Sequence, residues 1–168
     1  MIQKNSTGSD ASDEQLRVLA EDLIQQQSTM TLATAAGDVA WAAPVYYVFY
    51  KSSFYFFSES TSRHIQESVK SGQASAAIYA FASTWKEIRE IQMAGCIQQI
   101  PTGLEAIKIL RAYLTKLPFT KEFFDTGVPL RLEAFTKRFK VKLYKFEPDL
   151  FYYLDNQIRF GFRQQITI

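Results

Sequence analysis

Cysteine is almost missing from this chain. Cys96 stands alone among 168 residues, so no disulfide forms within the chain and a disulfide-stapled scaffold is excluded. Histidine is equally scarce: His64 is the only one, which removes zinc sites built from clustered Cys and His. An excess of charge of one sign is lacking too. The 19 Lys and Arg against 17 Asp and Glu leave a formal net charge of +2, too weak a field for a dedicated nucleic-acid binder. No apolar run approaches the ~20 residues that span a bilayer. The polar N-terminus has no basic start followed by an apolar stretch, so no signal peptide is expected. These absences leave a cytoplasmic protein with no nucleic-acid and no membrane partner as the expectation.

What is present is aromatic. Phe and Tyr number 14 and 9, many in pairs such as Tyr46-Tyr47 and Phe56-Phe57, which favours strands because flat side chains pack well on a pleated surface. The length suits one domain that buries its own core without metal or disulfide. Residues 1–11, rich in Ser, Asn, Gly and Asp, read as a disordered tail, and 12–168 as a single domain. Ser12 with Gln15 is a capping-box pattern. Leu16, Leu19, Ala20 and Leu23 then recur at helical spacing until the polar run 25–28.

Strands are expected over 30–36, 40–50 and 54–58, with turns at Gly37-Asp38 and Lys51-Ser52-Ser53. A short helix over 62–69, stopped by Gly72, leads to strands over 74–81 and 89–100, with Gly95 marking a bulge or a close approach. Thr102 and Glu105 form a second capping-box pattern ahead of the apolar stripe Leu104, Ile107, Leu110, Leu114 and Leu117. Short helical pieces follow between Thr120 and Lys137. A sixth strand is expected over 139–146, its outer face carrying Arg138, Lys140 and Lys142, and a last hairpin over 151–154 and 158–166. Six or more antiparallel strands in an aromatic-rich sheet argue for a closed or nearly closed barrel, since closure removes exposed edges.

One stretch carries chemistry: Ser58-Glu59-Ser60-Thr61-Ser62-Arg63-His64. It leaves a strand and enters a helix, so hydroxyls precede two potentially cationic side chains in a first helical turn. Unpaired N–H groups give that end of a helix a partial positive charge, and Arg63 and His64 are unfavourable there unless an anion joins them. A phosphate would accept from the N–H groups and the hydroxyls and be gripped by the Arg63 guanidinium. A plainer alternative is equally open. Ser62 or Thr61 caps the helix, Arg63 pairs with Glu59 and His64 lies at the surface, since capping is common and worth ~1 kcal/mol.

Phe56-Phe57-Ser58 followed by Ser62-Arg63-His64 resembles the phosphate-binding stretch of the pyridoxamine 5′-phosphate oxidase-like FMN-binding split barrels. There an aromatic and a hydroxyl residue end a strand and Ser-Arg-Lys follows. Residues 42–47 (Ala-Ala-Pro-Val-Tyr-Tyr) fall on that family's Arg-x-Val-Leu-Leu-Lys strand, and residues 89–95 (Arg-Glu-Ile-Gln-Met-Ala-Gly) on its Arg-Gln-Val-x-x-x-Gly strand. The likeness covers residues 30–95, and loosely most of the rest. Trp41, Arg63-His64 and the segment from Asp155-Asn156 to Phe160-Gly161-Phe162 look like those of a small subgroup of that superfamily.

The resemblance implies a mainly β fold with helices (α+β), a six- or seven-stranded antiparallel split β-barrel, acting as a homodimer with FMN at the subunit interface. It implies that Ser58, Thr61, Ser62, Arg63 and His64 hold the FMN phosphate, His64 standing where the family has Lys. Backbone of Ala43, Pro44, Val45 and Tyr46 would follow the flavin ring edge, and Gln92 would take over from a family Gln whose place is filled by Glu90. The implied activity is that of a flavin-dependent oxidoreductase, hydride passing between the flavin N5 and a small molecule, with Tyr47, Glu90, Phe160 and Phe162 near the substrate. No proton-transfer residue is assigned. A split barrel that binds haem or the deazaflavin F420, and a non-catalytic module that stores or senses flavin, are the alternatives. Ala42 and Tyr47 replace the family's strand Arg and Lys, and the basic C-terminal Arg-x-x-x-Arg-Leu-x-Pro pattern is missing, which argues against oxidation of pyridoxamine phosphate itself. Cys96 reads as a small buried apolar group. A Ser-His-Asp triad through His64 lacks any local group to orient the imidazole.

Overall fold

Among the described residues eight antiparallel strands form one sheet, and its two ends are built by consecutive stretches of chain. The computed structural model describes residues 11–123 and 131–168. The tail expected over 1–11 therefore lies, apart from Ala11, outside them, as does part of the helical stretch expected between Thr120 and Lys137. The strands are β1 (Thr29–Ala36), β2 (Val39–Tyr46), β3 (Val48–Tyr50), β4 (Ser53–Ser58), β5 (Ala74–Tyr79), β6 (Arg89–Gln99), β7 (Lys142–Asp155) and β8 (Arg163–Gln165). Their order is β2-β1-β5-β6-β7-β4-β3, with β8 added to β7. Only Tyr47 separates β2 from β3. The chain thus passes at that residue from one edge of the sheet to the other, and the sheet curls into a split barrel. The strand expected over 40–50 is accordingly divided in two, because its halves pair with different partners, β1 and β4.

Period-two alternation places the core. Met30, Leu32 and Thr34 of β1, Ala74, Ala76 and Ile78 of β5, and Ile91, Met93 and Ile97 of β6 point into the barrel. Helix α1 (Asp13–Gln26) closes one end with Leu16, Ala20, Leu23 and Ile24, packed with Phe54, Phe56, Phe146 and Tyr153. Its start is the capping box read from the sequence: the Ser12 amide donates to Gln15 Oε1 (2.9 Å) and the Gln15 amide to Ser12 Oγ (3.3 Å). A second cluster lies outside the barrel, where α3 (Leu104–Lys116) and α4 (Leu132–Phe139) pack on Val48, Tyr55 and Leu143. β4 is therefore covered on both faces, which explains its unbroken run Phe54-Tyr55-Phe56-Phe57.

Three expectations for the second half are corrected. Gly103, not Thr102, is the N-cap of α3, and no side chain caps that helix; Glu105 instead accepts from the Tyr55 hydroxyl (2.8 Å). The apolar stripe is rotated: Leu104 is 81% exposed, while Ala106, Ile109, Leu110, Tyr113 and Leu114 face inward. The roll sets the Tyr113 ring edge-on to Phe57, 5.1 Å between centroids. The basic strip also dissolves, because Arg138 and Phe139 end α4 and Lys140 is its left-handed C-cap (φ 54°). The strand proper starts at Lys142 and runs to Asp155, absorbing the expected seventh strand. Its bend lies where the β6–β7 register shifts between Ala94 and Gly95, leaving Asp149 as the extra residue, so the bulge read at Gly95 is present.

Lys116, in the last turn of α3, ties three elements together. Its ammonium donates to the Ile24 carbonyl (3.1 Å), which also accepts from the Tyr47 hydroxyl (2.7 Å), and it lies 3.9 Å from the Tyr47 ring centroid. Burial lowers the Lys116 pKa from 10.5 to about 8, against the pull of the ring face and the carbonyl, which favour the ammonium. Between those two values the unfolded chain holds a proton that the folded chain has released, so stability rises with pH across that window. Burial also raises the Tyr47 phenol, which turns the trend downward above the ordinary tyrosine pKa of about 10. The denaturant midpoint is expected to be higher at pH 9.5 than at pH 7.5, and Lys116→Met is expected to abolish that difference.

Candidate functional site at the end of the fourth strand

Ser58 ends β4, and α2 (Arg63–Ser71) begins after the loop 59–62. Ser62 is the N-cap in extended backbone, yet its hydroxyl does not cap the helix. It donates to the Glu59 carbonyl (2.8 Å) instead, and lies 3.0 Å from Ser58 Oγ and 3.3 Å from His64 Nε2. Ser58 Oγ is 2.9 Å from the same nitrogen. With its hydrogen spent on Glu59, Ser62 accepts from Ser58, and Ser58 in turn accepts from His64 Nε2–H. Burial pulls His64 below the ordinary imidazole pKa, with the Glu67 charge opposing, so the ring is neutral at pH 7. Among the described residues no carboxylate is hydrogen-bonded to it, and the cluster is not a Ser-His-acid triad.

Arg63 has a partner that the sequence reading did not name. Its Nε donates to Glu67 Oε1 (2.6 Å), one helical turn on, not to Glu59. The other carboxylate oxygen accepts from Thr34 Oγ1 of β1 (2.7 Å). Glu67 is only 6% exposed, and the hydrogen bonds from Thr34 and then Arg63 hold its carboxyl below the usual range, against burial. The guanidinium carbon lies 4.7 Å from the centre of the Trp41 ring on β2. One of the two cations expected at this helix start is thus compensated and the other is uncharged. The premise that only an anion makes them tolerable does not hold. What remains is donor geometry: two hydroxyls and an imidazole within 3.3 Å, beside the Arg63 Nη groups, which have no hydrogen-bond partner among the described residues on a side chain 42% exposed.

The place of this corner in the fold matters. β2 ends the sheet, so one of its edges has no strand neighbour. Pro44, which has no N–H to give to a ladder, is tolerated on such an edge. Arg63 reaches from α2 to Trp41, which belongs to the same strand as Ala43, Pro44, Val45 and Tyr46. Ala43 and Val45 turn inward, and Pro44 and Tyr46 outward. Thr61 is exposed in the loop.

Other expected site residues lie elsewhere. Tyr47 is fully buried and bonded to Ile24, so it belongs to the core and not to a substrate cleft. Phe162 is likewise a core residue at 2% exposure. Phe160 is 75% exposed and packs edge-on against Trp85, 5.4 Å between centroids. Glu90 and Gln92 stand on the outer face of β6, separated from β2 by β5 and β1, and do not meet Arg63 within one chain. Gln92 lines an open groove of about 440 Å³ on that face, floored by Ala33 and Ser75 and flanked by Tyr152 and Arg163. Cys96 is only half-buried on the same face. Among the described residues no helix is long and apolar enough to cross a membrane, and no cluster of three or more His, Cys, Asp or Glu offers a metal site.

Glu67, Thr34 and Trp41 are the parts of the corner that sequence reading missed. The Arg63–Glu67 spacing of four on a helix was a usable signal. Thr34 and Trp41 become neighbours of α2 only through the β1–β2 pairing, where they are direct cross-strand partners.

No protein-family model matches the sequence, and no curated protein sequence matches it significantly. Solved structures do match in shape. An FAD-binding protein from Mesorhizobium loti is 13% identical with a TM-score of 0.60, over 80% of this chain and 90% of that one. A haem-binding protein from Mycobacterium smegmatis is 17% identical with a TM-score of 0.66, over 96% of this chain and 60% of that one. Campylobacter jejuni ChuZ is 12% identical with a TM-score of 0.70, over 93% and 61%. The chain shares the split-barrel fold of these structures.

Proposed function

We propose that the protein binds FMN, with the phosphate at the Ser58, Ser62, Arg63 and His64 corner and the ring along the free edge of β2, and serves as a flavin-dependent oxidoreductase for a small molecule. The observation that carries this reading is the clustered donor set: two hydroxyls and an imidazole within 3.3 Å of one another, able to turn from their mutual contacts to an anion, at a helix start with no side-chain cap, beside a guanidinium fork whose Nη groups have no partner among the described residues. The donor set fits a phosphate, since every group in it is a donor or can become one by rotating a hydroxyl. When bound, FMN supplies the hydride chemistry. The chain's own part is to anchor the phosphate and to line the ring edge with backbone N–H and C=O groups.

Partnership with a second copy belongs to the same reading. Ala33, Ala35, Ala40, Ala42 and Pro44 are exposed on the outer face of β1 and β2, a flat surface of small side chains suited to a two-fold interface. A dimer would also bring Gln92 and Glu90 of one copy toward the opening of the other.

Titration of the purified protein with FMN tests the proposal; a yellow two-band spectrum with quenched flavin fluorescence is the expected result. His64→Lys, which installs a permanent cation, is expected to tighten FMN at pH 8 by roughly fivefold, on the order of 1 kcal/mol for charging one hydrogen bond. Haem is the second reading, favoured by the shape match to the haem-binding protein of M. smegmatis. His64 would then have to leave Ser58 and Ser62 to serve as an axial ligand, and a Soret band would mark it. Rapid, saturable reduction of bound flavin by NADH or NADPH separates an oxidoreductase from a storage or sensing module.

A further inference from the structure

Arg63 is not simply an arginine near a pocket. Its Nε is held at 2.6 Å by Glu67 Oε1, and Glu67 cannot turn away because Thr34 Oγ1 holds its second oxygen at 2.7 Å. The guanidinium also rests over Trp41 at 4.7 Å. An ordinary i, i+4 pair on a helix surface contributes little to stability, and a buried carboxylate is a poor choice where packing alone is wanted. This one is buried, bonded from two different elements and aimed at one guanidinium nitrogen, which fixes the fork while leaving its Nη1–Nη2 end without a partner among the described residues.

Resting on the phosphate reading above, we infer that Glu67, braced by Thr34, is a positioning residue for phosphate recognition: it sets the Arg63 guanidinium across Trp41 so that its paired Nη groups meet the ligand already oriented. An arginine free to rotate would lose that order on every binding event, and a fork held in advance gives bidentate contact with less lost on binding.

The test compares FMN with riboflavin, which has the same ring and no phosphate, in wild type, Arg63→Ala, Glu67→Ala, Glu67→Gln and Thr34→Val. The readout is the ratio of the two dissociation constants, which a general loosening of the fold does not move. Arg63→Ala is expected to cut the preference for FMN by about tenfold or more. Glu67→Ala is expected to cut it several-fold with riboflavin binding unchanged, and Glu67→Gln, which still offers Nε an acceptor, to restore most of it. Should Glu67→Ala not fold, Thr34→Val carries the comparison, with a smaller loss in the same direction. Loss of the preference in Arg63→Ala but its retention or increase in Glu67→Ala and Thr34→Val would make Glu67 a mere counter-ion or a competitor and overturn the inference alone. An unchanged preference in Arg63→Ala would remove the phosphate reading and this inference with it.

Discussion

Arg63→Ala is expected to weaken FMN binding by roughly 10- to 150-fold, corresponding to ~1.5–3 kcal/mol for a hydrogen bond to a charged group, while leaving riboflavin binding as it was. The lower half of that range is the better guide, because Nε is already committed to Glu67 and only the Nη groups are available to a phosphate. The substitution has a second consequence in the free protein. Glu67 would keep Thr34 but lose its cation, and a buried carboxylate tolerates that poorly. Its carboxyl is held below the usual carboxylate range by Thr34 first and Arg63 second. A carboxyl with a depressed folded pKa contributes stability that is present above its unfolded pKa and lost as pH falls through the folded one. Removing Arg63 shrinks the depression, so the acid unfolding transition of Arg63→Ala is expected at higher pH than that of wild type, read by circular dichroism.

Gly95→Ala is expected to be the most damaging single methyl in the sheet. A Cβ on Gly95 would collide with the Glu147 carbonyl oxygen and stand 2.8 Å from the Pro148 Cα. Both obstacles are backbone of the neighbouring strand at its bulge, and neither can swing aside as a side chain would. Overpacking of this kind costs about 3 kcal/mol, which for a chain of this size lowers Tm by roughly 6–12 °C. Gly103→Ser is the matched control. It is the N-cap of α3, at an extended φ of 174° with nothing within 4 Å of its Cβ, and its Tm is expected to stay within about 2 °C of wild type, since Ser and Gly at an N-cap differ by only a few tenths of a kcal/mol. Calorimetry of the pair reads both.

The contrast between these two glycines shows what can be read from a chain alone. Gly95 interrupts a run of strand formers, and a glycine in that setting announces a bulge or a close approach before any coordinates exist. Gly103 gives no such sign, and the side chains beside it misled: Thr102 and Glu105 spell a capping box that the helix does not use, because Glu105 is drawn to the Tyr55 hydroxyl of a strand far away in sequence. The same division runs through the whole molecule. Alternation and turn residues locate β1, β4, β5 and β6 to within a residue or two, and Ser12 with Gln15 marks the start of α1. The break at Tyr47 is invisible locally, since residues 40–50 are uniformly strand-like and only the change of partner divides them.

The corner was legible in the same partial way. Ser58, Ser62, Arg63 and His64 are close in sequence, and a strand-to-helix junction brings them together with little help from the rest of the fold. Of their electrostatic setting only the Arg63–Glu67 spacing was legible. Thr34 and Trp41 arrive from the β1–β2 hairpin upstream, where they pair across strands, and Thr34 binds the second oxygen of the Glu67 carboxylate. Phe160 and Phe162 show the limit from the other side. They flank one glycine, yet one is exposed and the other is core, because the loop before β8 turns between them with Gly161 at φ 69°.

A crystal structure of the protein grown with FMN asks the decisive question. The expected result is a phosphate within hydrogen-bond distance of Ser58 Oγ, Ser62 Oγ and the Arg63 Nη groups, with the flavin ring lying along residues 43–46. A flavin bound with its phosphate elsewhere, while Ser58, Ser62 and His64 keep their mutual contacts, would contradict the assignment of this corner.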